Sequence, residues 1–235
     1  KIFIPDLKNG RLEILDKDGN YLKQIDKFQM ANIRHHFAVS RNDDIIARTS
    51  MGDSMLLAVY DNVGHIYKFG NYEQSGFNLS QQTVFNDMFI IYDEKTENIF
   101  CLFHNLPIIR RYSMNGEYLE EIRFEGKEKL KCFREAWERN SKQNIEHAKA
   151  GMFTTNSTPF CMMASISEGN LLLFSVYNCM GYASYCLKLT GNSTKLDKII
   201  LWKEKKEYDK KIILRGTANY YNNIFSYSSN CNIYK

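Results

Sequence analysis

Two stretches of the chain, ILDKDGNYLKQI (Ile14–Ile25) and RYSMNGEYLEEI (Arg111–Ile122), carry Gly, Tyr, Leu and a final Ile at the same four places. Their turn glycines, Gly19 and Gly116, lie 97 residues apart. Each stretch reads as two short strands joined by a tight turn. Asp-x-x-Gly or Asn-Gly supplies the positive φ that such a turn needs and that residues with a Cβ avoid. Gly64 in VYDNVGHIY and Gly191 in LKLTGNSTKL sit in the same setting, so successive markers are 45, 52 and 75 residues apart. The first two gaps match a four-stranded propeller blade of roughly 40 to 50 residues. The third matches one blade plus an insertion of about half a blade.

Working outward, two more strands precede each hairpin. One unit runs HFAVS, DIIART, LLAVYD and HIYKF. The next runs MFIIYD, NIFCLFH, IIRRYS and YLEEIRF, and a third runs FCMMASI, NLLLFSVY, SYCLKLT and LDKIIL. Polar turns separate the strands, in an order more regular than a β-sandwich requires. Partial units flank the three. The start, KIFIPDLKNGRLEILDKDGNYLKQI, matches the second, third and fourth strands of a unit. The end, KIILRGTANYYNNIFSYSSNCNIYK, matches the first, second and part of the third. Both ends thus carry a second strand and do not simply complete one another. The reading is a single all-β propeller domain over 1–235, with four to five blade-like units. It is either a small ring with imperfect end blades or a ring with an N-terminal portion missing.

Bulk properties agree with one globular domain. The chain has 235 residues, 44% of them apolar and 25% charged. Its 15 Tyr and 15 Phe favour strands. The net charge of +4 comes from 31 basic and 27 acidic residues spread evenly, where a nucleic-acid binder would concentrate a basic stripe. No apolar run approaches the 18 residues of a membrane span. Six cysteines show no CxxC and no zinc-ligand spacing. Cys101, Cys161 and Cys186 fall in apolar runs and read as buried thiols, and a Cys179–Cys186 bridge remains open on sequence.

RLEILDKDGNYLKQI and IIRRYSMNGEYLEEIRF resemble the repeat of bacterial six-bladed β-propellers of the NHL/TolB-like type, in which an apolar strand leads into Asp-x-x-Gly, an aromatic, Leu and a closing Ile. The resemblance covers most of the chain outside 125–158. It implies a six-bladed ring, a chain longer than 235 residues, and a cell-envelope location, often as a lipoprotein. It implies little about activity.

A propeller sorts its connections. First-to-second and third-to-fourth turns share one face; here they are short and generic, such as SRNDD, EKTE, DNVGH and MNGE. Second-to-third loops and between-blade connections share the other, and function sits on such variable loops. That face is expected to carry TSMGDSM (49–55) with Asp53, HNLP (104–107) with His104 and Asn105, YNCMGY (177–182) with Tyr177 and Asn178, SSNCN (228–232), and MANIRHH (30–36) with Arg34, His35 and His36. The segment 125–158 lacks the repeat, and EKLKCFREAWERNSKQNIEHAKA is rich in helix formers. Leu130, Phe133 and Trp137 share one helical face. That insertion reads as a helix packed on the rim, or as a docking element with Trp137 as its anchor.

Catalytic signatures are absent: no G-x-S-x-G, no H-E-x-x-H, no P-loop. DKDGN lacks the further ligands of a calcium loop and reads as a turn. The first strands are mostly apolar, which argues against a metal held at the axis. Arg34, Arg110, Arg111 and Arg215 are candidates to meet a carboxylate or sugar acid, or to be salt-bridged. Tyr220 and Tyr221 could stack on a ligand or pack between blades. The expectation is a non-enzymatic binding module for a protein, peptide or glycan, with no cofactor and no nucleic acid. The alternative is a hydrolase or lyase with its site at the channel mouth.

Overall fold

The computed structural model describes residues 1–6, 8–28, 37–49, 53–61, 63–73, 86–123, 131–151, 160–161, 163–167, 170–178, 181–190, 193–201, 214–220, 223–228 and 233–234. Eighteen antiparallel strands and one helix form five meander sheets among these residues. Sheet I holds β1 (Ile2–Asp6), β2 (Arg11–Leu15) and β3 (Tyr21–Asp26). Sheet II holds β4 (Ala38–Val39), β5 (Ile45–Arg48), β6 (Leu57–Tyr60) and β7 (Ile66–Phe69). Sheet III holds β8 (Met88–Asp93), β9 (Asn98–Phe103), β10 (Ile108–Ser113) and β11 (Tyr118–Arg123). Sheet IV holds β12 (Met163–Ser167), β13 (Asn170–Asn178), β14 (Gly181–Thr190) and β15 (Ser193–Leu201). Sheet V holds β16 (Leu214–Tyr220), β17 (Asn223–Ser228) and β18 (Ile233–Tyr234). The three full units and the two partial ones fall where the repeat sets them.

The repeated hairpin is one piece of backbone chemistry used several times. Asp16 N–H donates to Asn20 O at 2.9 Å, and Gly19 N–H to Asp16 O at 3.2 Å. Asp61 with His65 and Gly64, and Ser113 with Glu117 and Gly116, repeat both bonds. The glycines take φ of +88°, +95° and +82°. Side-chain acceptors finish each turn: Asp16 accepts from the N–H groups of Asp18 and Asn20, and Asp61 from those of Val63 and His65. The lone pairs of Asp16 are therefore spent on its own turn. Both quoted hairpins also carry a bulge at the same place, Ile14/Leu15 and Arg111/Tyr112.

The core is interleaved between sheets. The short innermost strands pack in series, β4 against β8, β8 against β12 and β12 against β16. Strand alternation then gives sheets II and III two apolar faces each. Ile45, Ala47, Ala58 and Tyr60 meet Leu12, Ile14 and Phe28 of the sheet I side. Ile46, Leu57 and Val59, on the opposite face, meet Met88, Ile99, Cys101 and Phe103 of sheet III. Phe100, Leu102 and Ile109 face the sheet IV side, with Phe160, Cys161 and Leu171. Strands covered on both faces read as continuous apolar runs, which is why NIFCLF shows no alternation.

Helix α1 (Lys131–Lys149) occupies the insertion, between β11 and β12. Its Trp137 is half-buried against the sheet III–sheet IV core. Cys101 and Cys161 are buried free thiols, and burial pushes the Cys101 thiol up. Cys186 pairs across the ladders with Leu172 and Lys198, while Cys179 lies outside the described residues.

Candidate functional site

Loops on the side away from the glycine turns are stitched to the connections between sheets. In the β5–β6 loop, Thr49 N–H donates to Leu56 O at 3.1 Å, and Leu56 N–H to Gly70 O at 2.8 Å. Thr49 Oγ1 lies 2.8 Å from Tyr72 Oη. In the β9–β10 loop, His104 N–H donates to Asp87 O at 2.7 Å, and His104 O accepts from Phe160 N–H at 2.6 Å. Second-to-third loops and between-blade connections therefore meet on one side.

Two ionic groupings lie there. The inner one joins the end of β5 in sheet II to the connection that enters sheet III. Arg48 ends β5 and is 1% exposed; its Nη1 is 3.6 Å from Oδ1 of Asp87, the residue before β8. Burial pushes the Arg48 pKa below its ordinary value, partly offset by Asp87 and Tyr72. Arginine remains protonated even so. The His104 ring packs edge-on against Phe89 of β8, centroids 5.6 Å apart, and Asn105 is buried beside it in the same loop.

The outer grouping centres on Arg110 of β10. Its Nε donates to Glu121 Oε2 at 2.8 Å, Nη1 to Asn71 O at 2.7 Å, and Nη2 to Glu73. The guanidinium sits 5.1 Å over the Phe103 ring. Arg123 Nε reaches Glu121 Oε1 at 2.5 Å. The fully buried Asn86 fixes the connection by accepting from Glu73 N–H at 2.7 Å and donating to Glu73 O at 3.0 Å. Two arginines thus face two glutamates, and this grouping is charge-balanced.

The sequence candidates divide. His104 and Asn105 come together with Asp87 and Arg48. Trp137 packs with Phe160 and Cys161, whose N–H groups bond His104 O, so the helix and the 104–107 loop share a support. Asp53 lies in its expected loop but is tied outward: Lys68 Nζ of β7 sits 2.5 Å away, Met55 N–H donates to it, and these hold its carboxyl below the usual range. Arg110 and Arg111 are ion-paired, the latter to Glu120 at 3.4 Å. Tyr177 and Asn178 depart from their expected place in a loop. They are strand residues, paired with Tyr182 and Gly181, because β-favouring residues carry β13 and β14 outward until only 179–180 separate them. Arg34, His35, His36 and Tyr221 lie outside the described residues, and Arg215 and Tyr220 lie in β16. Arg48, Asp87, Glu73 and Asn86 were missed. The available signal was a charged residue closing an apolar run, as in DIIAR.

No family model matches the chain, and no curated protein does. Solved structures do. A streptogramin B lyase is 12% identical with a TM-score of 0.50, covering 99% of this chain and 63% of that one. Virginiamycin B lyase from Staphylococcus aureus is 10% identical with a TM-score of 0.52, covering 98% and 60%. The fold is a β-propeller of four-stranded blades. The chain spans about three fifths of the length of these similar structures, and at such identities the likeness concerns fold alone.

Proposed function

We propose that this chain is a non-enzymatic binding propeller of the bacterial cell envelope, of the NHL/TolB-like kind whose repeat it resembles, recognising a protein, peptide or glycan through its loop-bearing side. The supporting observation is how that side spends its carboxylates. Glu73 and Glu121 hold Arg110 and Arg123, Asp53 holds Lys68, and Asp87 faces Arg48. A general base needs a lone pair aimed at a substrate proton, whereas these oxygens are aimed at cations. Among the described residues no helix is long and apolar enough to cross a membrane, and no group of three His, Cys, Asp or Glu could hold a metal ion.

The rival reading, a lyase or hydrolase at the channel mouth, is tested in the same preparation. Metal content is measured on purified protein, and binding is measured on glycan and peptide arrays. The proposal expects array binding that weakens at least tenfold in a His104→Ala/Asn105→Ala double variant. Stoichiometric metal, lost on replacing Asp87 or His104, would overturn it.

A further inference from the structure

Arg48 is the most deeply buried charge in the described molecule, and it is incompletely bonded. Its side chain is 1% exposed, and its Nε and Nη1 find no hydrogen-bond acceptor. The only ion pair described for it is the 3.6 Å approach to Asp87, beyond hydrogen-bond reach. A buried donor left without an acceptor is costly, and a buried cation more so. The other two buried arginines each have a carboxylate closer at hand; Arg111 Nη2 lies 3.4 Å from Glu120, although its Nε too lacks an acceptor. Arg110 has three acceptors and an aromatic ring beneath it. Of these three arginines, Arg48 is the most buried and has the most distant carboxylate.

Position gives the exception a use. Arg48 ends the second strand of its sheet, and Asp87 precedes the innermost strand of the next. Asp87 is 28% exposed, so this ion pair has one end in contact with water. The walls nearby, Thr49, Tyr72 and Asn105, are polar.

Resting on the binding-module reading, we propose that Arg48 is the ligand-recognition residue of the loop side and that it takes a carboxylate, which replaces Asp87 as the partner of the guanidinium. The exchange swaps one carboxylate for another, so the buried cation is never left without a counter-charge. The incoming group gains charge-assisted hydrogen bonds from donors that Asp87 does not reach. Asp87, already partly exposed, is released toward water. Uronic acids and acidic or C-terminal peptide groups both present this chemistry.

The test is thermal denaturation of the whole purified chain with glucuronate or N-acetylglutamate, against glucose and sodium chloride at matched concentration. Both acids, or one of them, raise the melting temperature of the wild type; which acid acts identifies the source of the carboxylate. Arg48→Met abolishes the rise. Asp87→Asn removes the internal competitor and lowers the half-saturating acid concentration about tenfold. No acid-specific rise in the wild type ends the proposal. So does a rise that persists in Arg48→Met. Should Arg48→Met not fold, the Asp87→Asn titration decides: an unchanged or weaker response overturns the proposal. Array binding that survives Arg48→Met leaves the binding module in place and removes this inference alone.

Discussion

Sheet I and sheet III are built around copies of the same hairpin, yet they meet different surroundings. Every residue of β9 in sheet III is buried, with Ile99, Cys101 and Phe103 facing sheet II and Phe100 and Leu102 facing the other way. In sheet I, Phe3 packs toward sheet II while Ile2 and Ile4, on the opposite face, remain more than two fifths exposed. Beside them on that face Arg11 pairs with Asp6 and Glu13, and Gln24 with Asp26. The equivalent face of sheet II is Ile45, Ala47, Ala58 and Tyr60, all buried. The hairpin motif sets local geometry. The side chains alternating around it record whether another sheet covers the face.

The largest consequence concerns packing. Phe100→Ala opens a cavity between sheets III and IV and should cost about 3–5 kcal/mol. Ile4→Ala removes a side chain already largely in water, and should cost under about 1 kcal/mol. Urea denaturation of the two variants measures both. Comparable losses would mean that sheet I is as enclosed as sheet III, and the contrast would fall.

The two copied glycines sharpen the comparison. Both have positive φ, so alanine at either should cost about 1–2 kcal/mol from backbone strain. A Cβ at Gly19 meets nothing within 4 Å, while one at Gly116 would lie 2.8 Å from the Phe69 ring. Gly116→Ala should therefore add about 1–3 kcal/mol of overpacking to the shared term. Equal midpoints for the two variants would show that the sheet II–sheet III rim yields freely.

What could be read in advance follows from range. The hairpins were legible because Asp16, Gly19 and Asn20, or Ser113, Gly116 and Glu117, make their bonds within five residues. The partial end units were legible because KIFIPD, NIFCLF and NIFSYS share one pattern. Arg48 and Asp87 are 39 residues apart and meet only because β5 packs beside β8, which no local pattern announces. Tyr177 and Asn178 were set in a loop because Asn, Cys and Gly nearby look like turn residues, whereas sheet IV extends its middle strands past them. The insertion was legible as a helix packed on the rim, and Trp137 packs there against the core between sheets III and IV.

The smallest expected effect is acid sensitivity, which should also divide the molecule. Asp6, Asp16, Asp53 and Asp61 all have carboxyls held below the ordinary range. Asn9 does this chiefly for Asp6, Asn20 for Asp16, and Lys68 for Asp53; Asp61 overcomes its own desolvation through bonds from His65 and Val63. A depressed folded-state pKa means that the unfolded chain binds more protons. The stabilisation is present above the unfolded carboxyl pKa of about 3.9 and is lost as pH falls through the lower folded values. All four residues belong to sheets I and II. Amide exchange followed from about pH 5 down to about pH 2 should therefore, after correction for intrinsic rates, show β2, β3, β6 and β7 losing protection before β9 and β10. Asp53→Asn should blunt the change at β7, because the bond from Lys68 that makes Asp53 pH-sensitive would no longer be to a charge. Simultaneous loss across all the sheets would show that the sandwiched and half-covered blades unfold as one cooperative unit.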